Sequence, residues 1–327
     1  VIGFVGGGSW GTALAAHAAR SGHTARLWIL EEDIVDAVNR EHVNPTYLPG
    51  VELPHSLAAT HDLAACVQGA DLVVVAVPSE FCRATYSSLA RVIEPRTIVV
   101  SATKGLETET LARMSTVARE ELPGHAVAVL SGPSFAVEVA REMPTAVVAA
   151  SDRIVDAEDV QGRLASRTLR IYASDDVTGV ELGGALKNVI AIAAGIVEGL
   201  GLGHNTQAAL ITRGLVEISR LAVASGGRPE TLAGLAGLGD LVLTCTGGLS
   251  RNRRVGQAIA AGHNPAEALA GGRMVAEGIR TTRAACALAR AAGVEMPIAE
   301  QMSAVLYEGK SPRDAIDELM SRHLKRE

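Results

Sequence analysis

Lys187 is the residue of this chain whose surroundings most invite chemistry. It stands in Glu181-Leu182-Gly183-Gly184-Ala185-Leu186-Lys187-Asn188-Val189-Ile190-Ala191, a helical run of small and apolar residues. Lysine is rarely buried without a partner. Burial disfavours the ammonium form and lowers the pKa from about 10.4, which turns an inert cation into a general acid/base. A lysine can equally snorkel from an apolar helix to water, and the helix alone supports both readings. Other polar residues lie in similarly small or apolar surroundings. Lys104 follows a strand-like segment in Ser101-Ala102-Thr103-Lys104-Gly105; taken alone it reads as a solvated loop lysine. Gly132, Ser134 and Ala136 follow another strand-like segment in Leu130-Ser131-Gly132-Pro133-Ser134-Phe135-Ala136. Asp240 closes Gly234-Leu235-Ala236-Gly237-Leu238-Gly239-Asp240, which reads as a loop or broken helix whose glycines suit packing as well as function. In Ser250-Arg251-Asn252-Arg253-Arg254 an arginine can bind phosphate bidentately and Asn252 can add a neutral donor. At least one of Arg253 and Arg254 is expected on a solvated basic face.

The elements that must position these groups begin at the first residue. Val1 to Val5 reads as a buried strand, Gly6-Gly7-Gly8-Ser9-Trp10-Gly11 follows, and a small-residue helix runs from Thr12 to Arg20 before Gly22. Strand, G-x-G-x-x-G (Gly6, Gly8, Gly11) and helix in that order form the context of a dinucleotide-binding turn. Its glycines permit the tight turn, the approach of a pyrophosphate and close helix–strand packing, and the helix N-terminus offers free N–H groups to anions. Glu31 lies twenty positions after Gly11, beside Glu32 and Asp33. An acid there hydrogen-bonds a ribose 2′-hydroxyl and repels a 2′-phosphate, which favours NAD over NADP. It also suits the first turn of a following helix.

Strand-like segments at 1–6, 25–30, 71–77, 97–102, 126–130, 145–150 and 169–173 alternate with helical ones such as 79–91 and 108–121. Their continuous Val/Ile content fits strands buried on both faces. The fold class expected is α/β: an N-terminal Rossmann-type doubly wound, mostly parallel sheet followed by an all-α C-terminal domain. The boundary is placed near Ser174-Asp175-Asp176, giving domains 1–174 and 175–327, which suits 327 residues. The net charge of −6 and the scarcity of aromatics argue against nucleic-acid binding. Cys66, Cys82, Cys245 and Cys286 are widely spaced, with no zinc pattern, so no metal is expected and reduced thiols in the cytoplasm are. Apolar runs such as 72–77 and 189–197 are too short to span a bilayer, and no signal peptide is visible. The sequence begins at Val1 rather than methionine, which leaves open what precedes it.

Along nearly its whole length the chain resembles bacterial NAD(P)-dependent glycerol-3-phosphate dehydrogenases. The segments that carry the resemblance are GGGSWGTALA, NPTYLPG at 44–50, VAVPS at 75–79, SATKGLE at 101–107, SGPSFAVEV at 131–139, ELGGALKNVIAIAAGI at 181–196, GLGDLVLTC at 237–245, SRNRRVG at 250–256 and VAEGIRTT at 275–282. The resemblance implies interconversion of dihydroxyacetone phosphate and sn-glycerol 3-phosphate with NAD or NADP, a supply of glycerol 3-phosphate for glycerophospholipid synthesis, and a homodimer. It makes Lys187 the catalytic acid/base, assisted by Asp240, with Asn188 and Thr244 near the substrate. It gives Lys104 to both substrate and nicotinamide, Gly132 and Ser134 to the substrate pocket, and Ala136 to the cofactor. Ser250, Arg251 and Asn252 hold the substrate phosphate, Arg251 also reaching the cofactor. Ser9 and Trp10 meet the pyrophosphate, and Val275 and Glu277 contact the cofactor from the helical part. The family often carries a basic residue just after the tryptophan of the second strand; here Trp28 is followed by Ile29-Leu30-Glu31. Two other readings share parts of this pattern. A β-hydroxyacid dehydrogenase of the 6-phosphogluconate type also has a catalytic lysine followed by asparagine. A non-catalytic NAD-binding sensor has no evident need for Lys187, Asp240 and Arg251 together.

Overall fold

The computed structural model describes residues 1–269 and 276–323. The first part of the chain builds ten strands: β1 (Ile2–Val5), β2 (Ala25–Trp28), β3 (Val43–Asn44), β4 (Leu48–Glu52), β5 (Ala58–Thr60), β6 (Leu72–Val75), β7 (Ile98–Ser101), β8 (Val127–Ser131), β9 (Thr145–Ser151) and β10 (Leu169–Ser174). The helices among them are α1 (Ser9–Arg20), α2 (Glu32–Glu41), α3 (Leu63–Val67), α4 (Ser79–Leu89), α5 (Met114–Glu121), α6 (Ala136–Ala140) and α7 (Ile154–Leu164).

Eight strands form one sheet in the order β10-β9-β8-β7-β6-β1-β2-β5, parallel except where β8 meets β9. The strand order reverses at β1. The chain first winds outward through β2 and β5, then returns to place β6 on the other side of β1. In such sheets ligands bind in the crevice beyond the carboxyl ends of the strands at the switch point. Register brings those ends level, since Val5 pairs with both Trp28 and Val75. Separate apolar clusters cover the two faces, one through Phe4, Leu27 and Leu72, the other through Val5, Val73 and Tyr86. Strands buried on both sides have no solvated face to encode, which is why their sequence shows little alternation.

After Ser174 the described chain is helical: α8 (Val177–Gly199), α9 (Gly203–Ala224), α10 (Pro229–Ala233), α11 (Asp240–Thr246), α12 (Arg251–Ala260), α13 (Pro265–Leu269), α14 (Glu277–Ala292), α15 (Pro297–Tyr307) and α16 (Pro312–Met320). A π-helical turn, Leu235–Gly239, leads into α11. Asp176 starts α8 by accepting from the Gly179 N–H at 2.8 Å. Helix α8 has the length and mean hydropathy (1.6) of a membrane span, but the apolar window is wholly buried inside the protein. It is the axis of the helical part, flanked by α9, α11, α12 and α14.

Local structure departs from or sharpens the expectations at several places. Of loop or broken helix, the segment before Asp240 takes the second form: a π-helical turn runs into α11, which Asp240 begins. The helix expected at 108–121 forms only from Met114, because Leu106 bridges to Arg113 and Leu111 takes a left-handed φ of 62°. The hairpin of β3 and β4, and the short β5, carry too few residues to show a period.

Candidate active site

The glycine-rich turn forms as its spacing requires. Gly6, at the end of β1, has φ of +124°, a conformation disfavoured for other residues. A Cβ on Gly11 would stand 2.0 Å from the Gly6 carbonyl, so helix and strand meet there backbone to backbone. Gly8 faces open space and caps α1 without any side-chain acceptor. The Trp10 indole Nε1 beside it is buried with no hydrogen-bond partner. An uncapped helix start, an open glycine and an orphaned donor fit a dinucleotide pyrophosphate. Ser9 is engaged locally, donating its hydroxyl to the Tyr47 carbonyl.

Lys104 follows β7 at the same sheet edge, and Gly132 follows β8. The Lys104 Nζ donates to the Gly132 carbonyl at 2.8 Å and to Asp240 Oδ2 at 2.7 Å. The solvated-lysine reading therefore fails: the side chain spans from the sheet to α11 and is 17% exposed. Asp240 is 1% exposed, and its other oxygen, Oδ1, accepts a very short bond from Lys187 Nζ. Lys187 is 6% exposed, which excludes snorkelling. One buried carboxylate thus holds two ammonium groups, one from each half of the chain. Burial lowers the Lys187 pKa from 10.5 to about 7; Asp240 opposes that change and Lys104 adds to it. Thr244, one turn along α11, donates to the Asp240 carbonyl at 2.6 Å.

A line of amides connects this centre to α12 and α14. Asn188 Nδ2 reaches toward the Lys104 carbonyl at 3.5 Å, while its Oδ1 accepts from Asn252 Nδ2 at 2.8 Å. Asn252 Oδ1 in turn accepts from the Gly278 N–H at 3.1 Å. Ser250 caps α12, its hydroxyl oxygen accepting from the Arg253 N–H at 3.2 Å. Arg251 is exposed and makes no ion pair or hydrogen bond with the described residues, so its fork is available to an anion. Arg253 is instead paired with Glu198, and Arg254 is exposed.

The approach of α12 to α8 is set by glycine. A Cβ on Gly195 would lie 1.9 Å from the Arg253 carbonyl, and one on Gly256 would lie 2.0 Å from the Ile192 carbonyl. The two backbones are therefore in direct contact, which carries Arg251 and Asn252 to the Lys187 face of α8.

Glu277 begins α14 and accepts from the Ser79 N–H at 3.0 Å and the Ser79 hydroxyl at 2.7 Å. It tethers the helical part to the start of α4. Ser134 donates to the Gly132 carbonyl at 2.9 Å, and Ala136 opens α6. Glu31 caps α2 and accepts from the Tyr47 hydroxyl at 2.7 Å. Val275 lies outside the described residues.

Sequence reasoning assigned no role to Tyr47, Asn44, Ser79 or Glu181. Glu181 is buried on α8 and accepts from Arg113 at 2.6 Å and from the Ser115 N–H and hydroxyl at 2.8 and 2.6 Å, fixing α8 against α5. Its place two turns before Lys187 in an apolar helix was the signal that could have found it. Among the described residues, no cluster of three His, Cys, Asp or Glu side chains could hold a metal ion. The four cysteines are buried and unpaired.

Family models and relatives match the chain in both halves. The model for NAD-dependent glycerol-3-phosphate dehydrogenase N-terminus matches residues 1–157, and that for the C-terminus of the same enzymes matches residues 176–317. A glycerol-3-phosphate dehydrogenase [NAD(P)+] of Geobacter sulfurreducens is 51% identical over 329 residues, covering 100% of this chain and 98% of the relative. The enzyme of that name from Citrifermentans bemidjiense is 52% identical with the same coverage. A crystal structure of glycerol-3-phosphate dehydrogenase from Coxiella burnetii superimposes with a TM-score of 0.94 at 44% identity, covering 98% of each chain. Matched in both halves and from end to end, the chain belongs to the NAD-dependent glycerol-3-phosphate dehydrogenase family.

Proposed function

We infer that this protein is an NAD(P)-dependent oxidoreductase interconverting sn-glycerol 3-phosphate and dihydroxyacetone phosphate. The observation that carries the inference is the Lys187–Asp240–Lys104 triad, set between the sheet edge and α8, with Arg251, unpaired among the described residues, on the adjoining helix. One excess cationic charge at the centre, and a second at Arg251, suit a substrate that is anionic at one end and develops negative oxygen at the other.

A nicotinamide cofactor held at the glycine turn would supply the hydride for reduction of the ketone carbon and accept it in oxidation. The chain's own residues handle the rest. Lys187 as ammonium gives its proton to the oxygen that becomes the alcohol; as amine it takes that proton back in oxidation. Asp240 aims Lys187 and stabilises its charged form. Lys104, bound to the other carboxylate oxygen, lowers the proton affinity of Lys187 and adds a cation beside the substrate oxygen. Arg251 and Asn252 hold the phosphate, with Ser250 and Thr244 completing the pocket. Gly132 and Ser134 line the substrate side, Ala136 and Glu277 the cofactor side, and Gly6, Gly8, Ser9, Trp10 and Gly11 the pyrophosphate.

We further propose that residues 1–174 carry the cofactor and residues 175–327 the phosphate site. The supply of glycerol 3-phosphate for glycerophospholipids, a homodimer and a cytoplasmic location complete the reading. They rest on the family resemblance, and the unpaired cysteines accord with a reducing compartment. The test is NADH oxidation in the presence of dihydroxyacetone phosphate. Turnover of a β-hydroxyacid without activity on glycerol 3-phosphate or dihydroxyacetone phosphate would refute the assignment, and binding of NADH without turnover of any substrate would leave a sensor.

A further inference from the structure

The segment Asn44 to Leu48 lies on the glycine-rich turn, and its contacts have no part in the chemistry above. Asn44 is fully buried; its Nδ2 donates to the Gly7 carbonyl and to Thr12 Oγ1, each at 2.9 Å, and its Oδ1 accepts from the Tyr47 N–H at 3.0 Å. The Tyr47 carbonyl receives the Ser9 hydroxyl. Tyr47 is thereby fixed at both backbone groups to the turn. Its hydroxyl reaches across to Glu31 Oε1 at 2.7 Å.

Glu31 stands just past the end of β2, and the Ile29 side chain occupies the place where Gly7 would carry a Cβ, 2.6 Å away. Through Tyr47 the carboxylate is tied to the glycine turn, and its place after β2 is the one from which an acid meets the adenosine ribose. With Oε1 taken by Tyr47, Oε2 remains to accept from a diol. The nearest residues of β2 and its end offer no cation to an added phosphate. Leu30, next to Glu31, is apolar and 73% exposed. Arg26, the cation of β2, donates to the Ala65 and Gln68 carbonyls at 3.1 and 2.6 Å and so faces α3.

We propose that Tyr47 is a positioning residue for cofactor choice, its hydroxyl holding the Glu31 carboxylate where it accepts from the NAD ribose and repels the extra phosphate of NADP. This rests on the dinucleotide reading of the glycine turn. A freely rotating carboxylate would turn away from a 2′-phosphate at little cost; a fixed one stays and repels it.

Equilibrium titration calorimetry of the full chain with NADH and with NADPH, without second substrate, measures the ratio of dissociation constants independently of turnover. Wild type is expected to favour NADH by about tenfold or more, the scale of one charge-assisted hydrogen bond gained against one repulsion. Tyr47→Phe keeps the ring and its packing and should reduce the ratio by about threefold or more through loss of one hydroxyl. Glu31→Gln should remove most of the preference, and Tyr47→Phe should then add nothing in the double variant. A wild-type ratio near one overturns the proposal. So does a Tyr47→Phe protein that keeps the wild-type ratio, even if both affinities fall together. Failure of wild type to bind either nucleotide refutes the dinucleotide reading itself.

Discussion

Asp240 and Lys104 act on Lys187 in opposite directions, so removing each should move its titration oppositely. Burial sets the Lys187 pKa at about 7, with Asp240 holding it up and Lys104 pushing it down. Oxidation needs the amine, so its rate should rise with pH through that value and level off above it. Reduction needs the ammonium and should fall over the same interval. Asp240→Asn removes an opposite charge in direct contact, which moves a pKa by about 1–3 units, here downward. Lys104→Met removes a like charge held on the same carboxylate and should move the profile upward. One unit changes the minority protonation state tenfold, equivalent to about 1.4 kcal/mol. At pH 7 the asparagine variant should therefore lose about fivefold or more in reduction from protonation state alone. The assay is the pH dependence of kcat for glycerol 3-phosphate oxidation, with deuterium at the carbinol carbon to establish that hydride transfer limits the rate. It is the position of the inflection that matters, because both variants also lower the maximum. Inflections that move the same way, or that stay in place, would refute the assignment of that titration to Lys187.

Further outcomes follow from the same structure. Arg251→Ala should raise KM for the phosphorylated substrate by about tenfold to a hundredfold, the worth of a charge-assisted pair, with little change in kcat; an unchanged KM removes Arg251 from the phosphate site. Gly256→Ala puts a methyl against the Ile192 carbonyl and should cost about 1–3 kcal/mol in denaturant unfolding, with a loss of kcat/KM. Unaltered stability would show that the helices can separate freely. Glu217, 4% exposed on α9, accepts from the Ile298 and Ala299 N–H groups, and burial raises its pKa to about 7. A carboxyl whose folded pKa is raised contributes stability that is complete below its unfolded pKa and is lost as pH rises to about 7. Glu217→Gln should remove that dependence, so its melting temperature relative to wild type should improve between pH 4.5 and 7. An offset independent of pH would contradict this.

The parallel sheet was legible because fully buried strands leave long Val/Ile runs, and the glycine turn because its spacing is dictated by backbone contact. Lys187 stood out for the same kind of reason, a charge amid residues that exclude water. Its partners did not. Asp240 is fifty-three positions away, behind a π-helical turn whose glycines looked like a loop. The Asn188–Asn252 pairing depends on a helix crossing that no local period encodes. Lys104 looked solvated because nothing in its loop announces the carbonyl and carboxylate that bind it. Tyr47 was present in a recognisable segment, but its hydroxyl acquires meaning only once β2 brings Glu31 beside it. Local sequence reports burial and turn geometry well; it reports poorly which distant group satisfies a buried polar atom.

The contact of α8 and α12 through Gly195 and Gly256 has a consequence for substrate size. In the proposed reaction Lys187 meets the reacting oxygen and Arg251 anchors the far end of the substrate. The span between them is set by main chain touching main chain at Gly195 and Gly256, with the Asn188–Asn252 pair bridging the same two helices. The pair of helices therefore works as a rigid caliper. A homologue one carbon longer could be gripped at either jaw but not at both, and selection could retune that gauge only by rebuilding the joint.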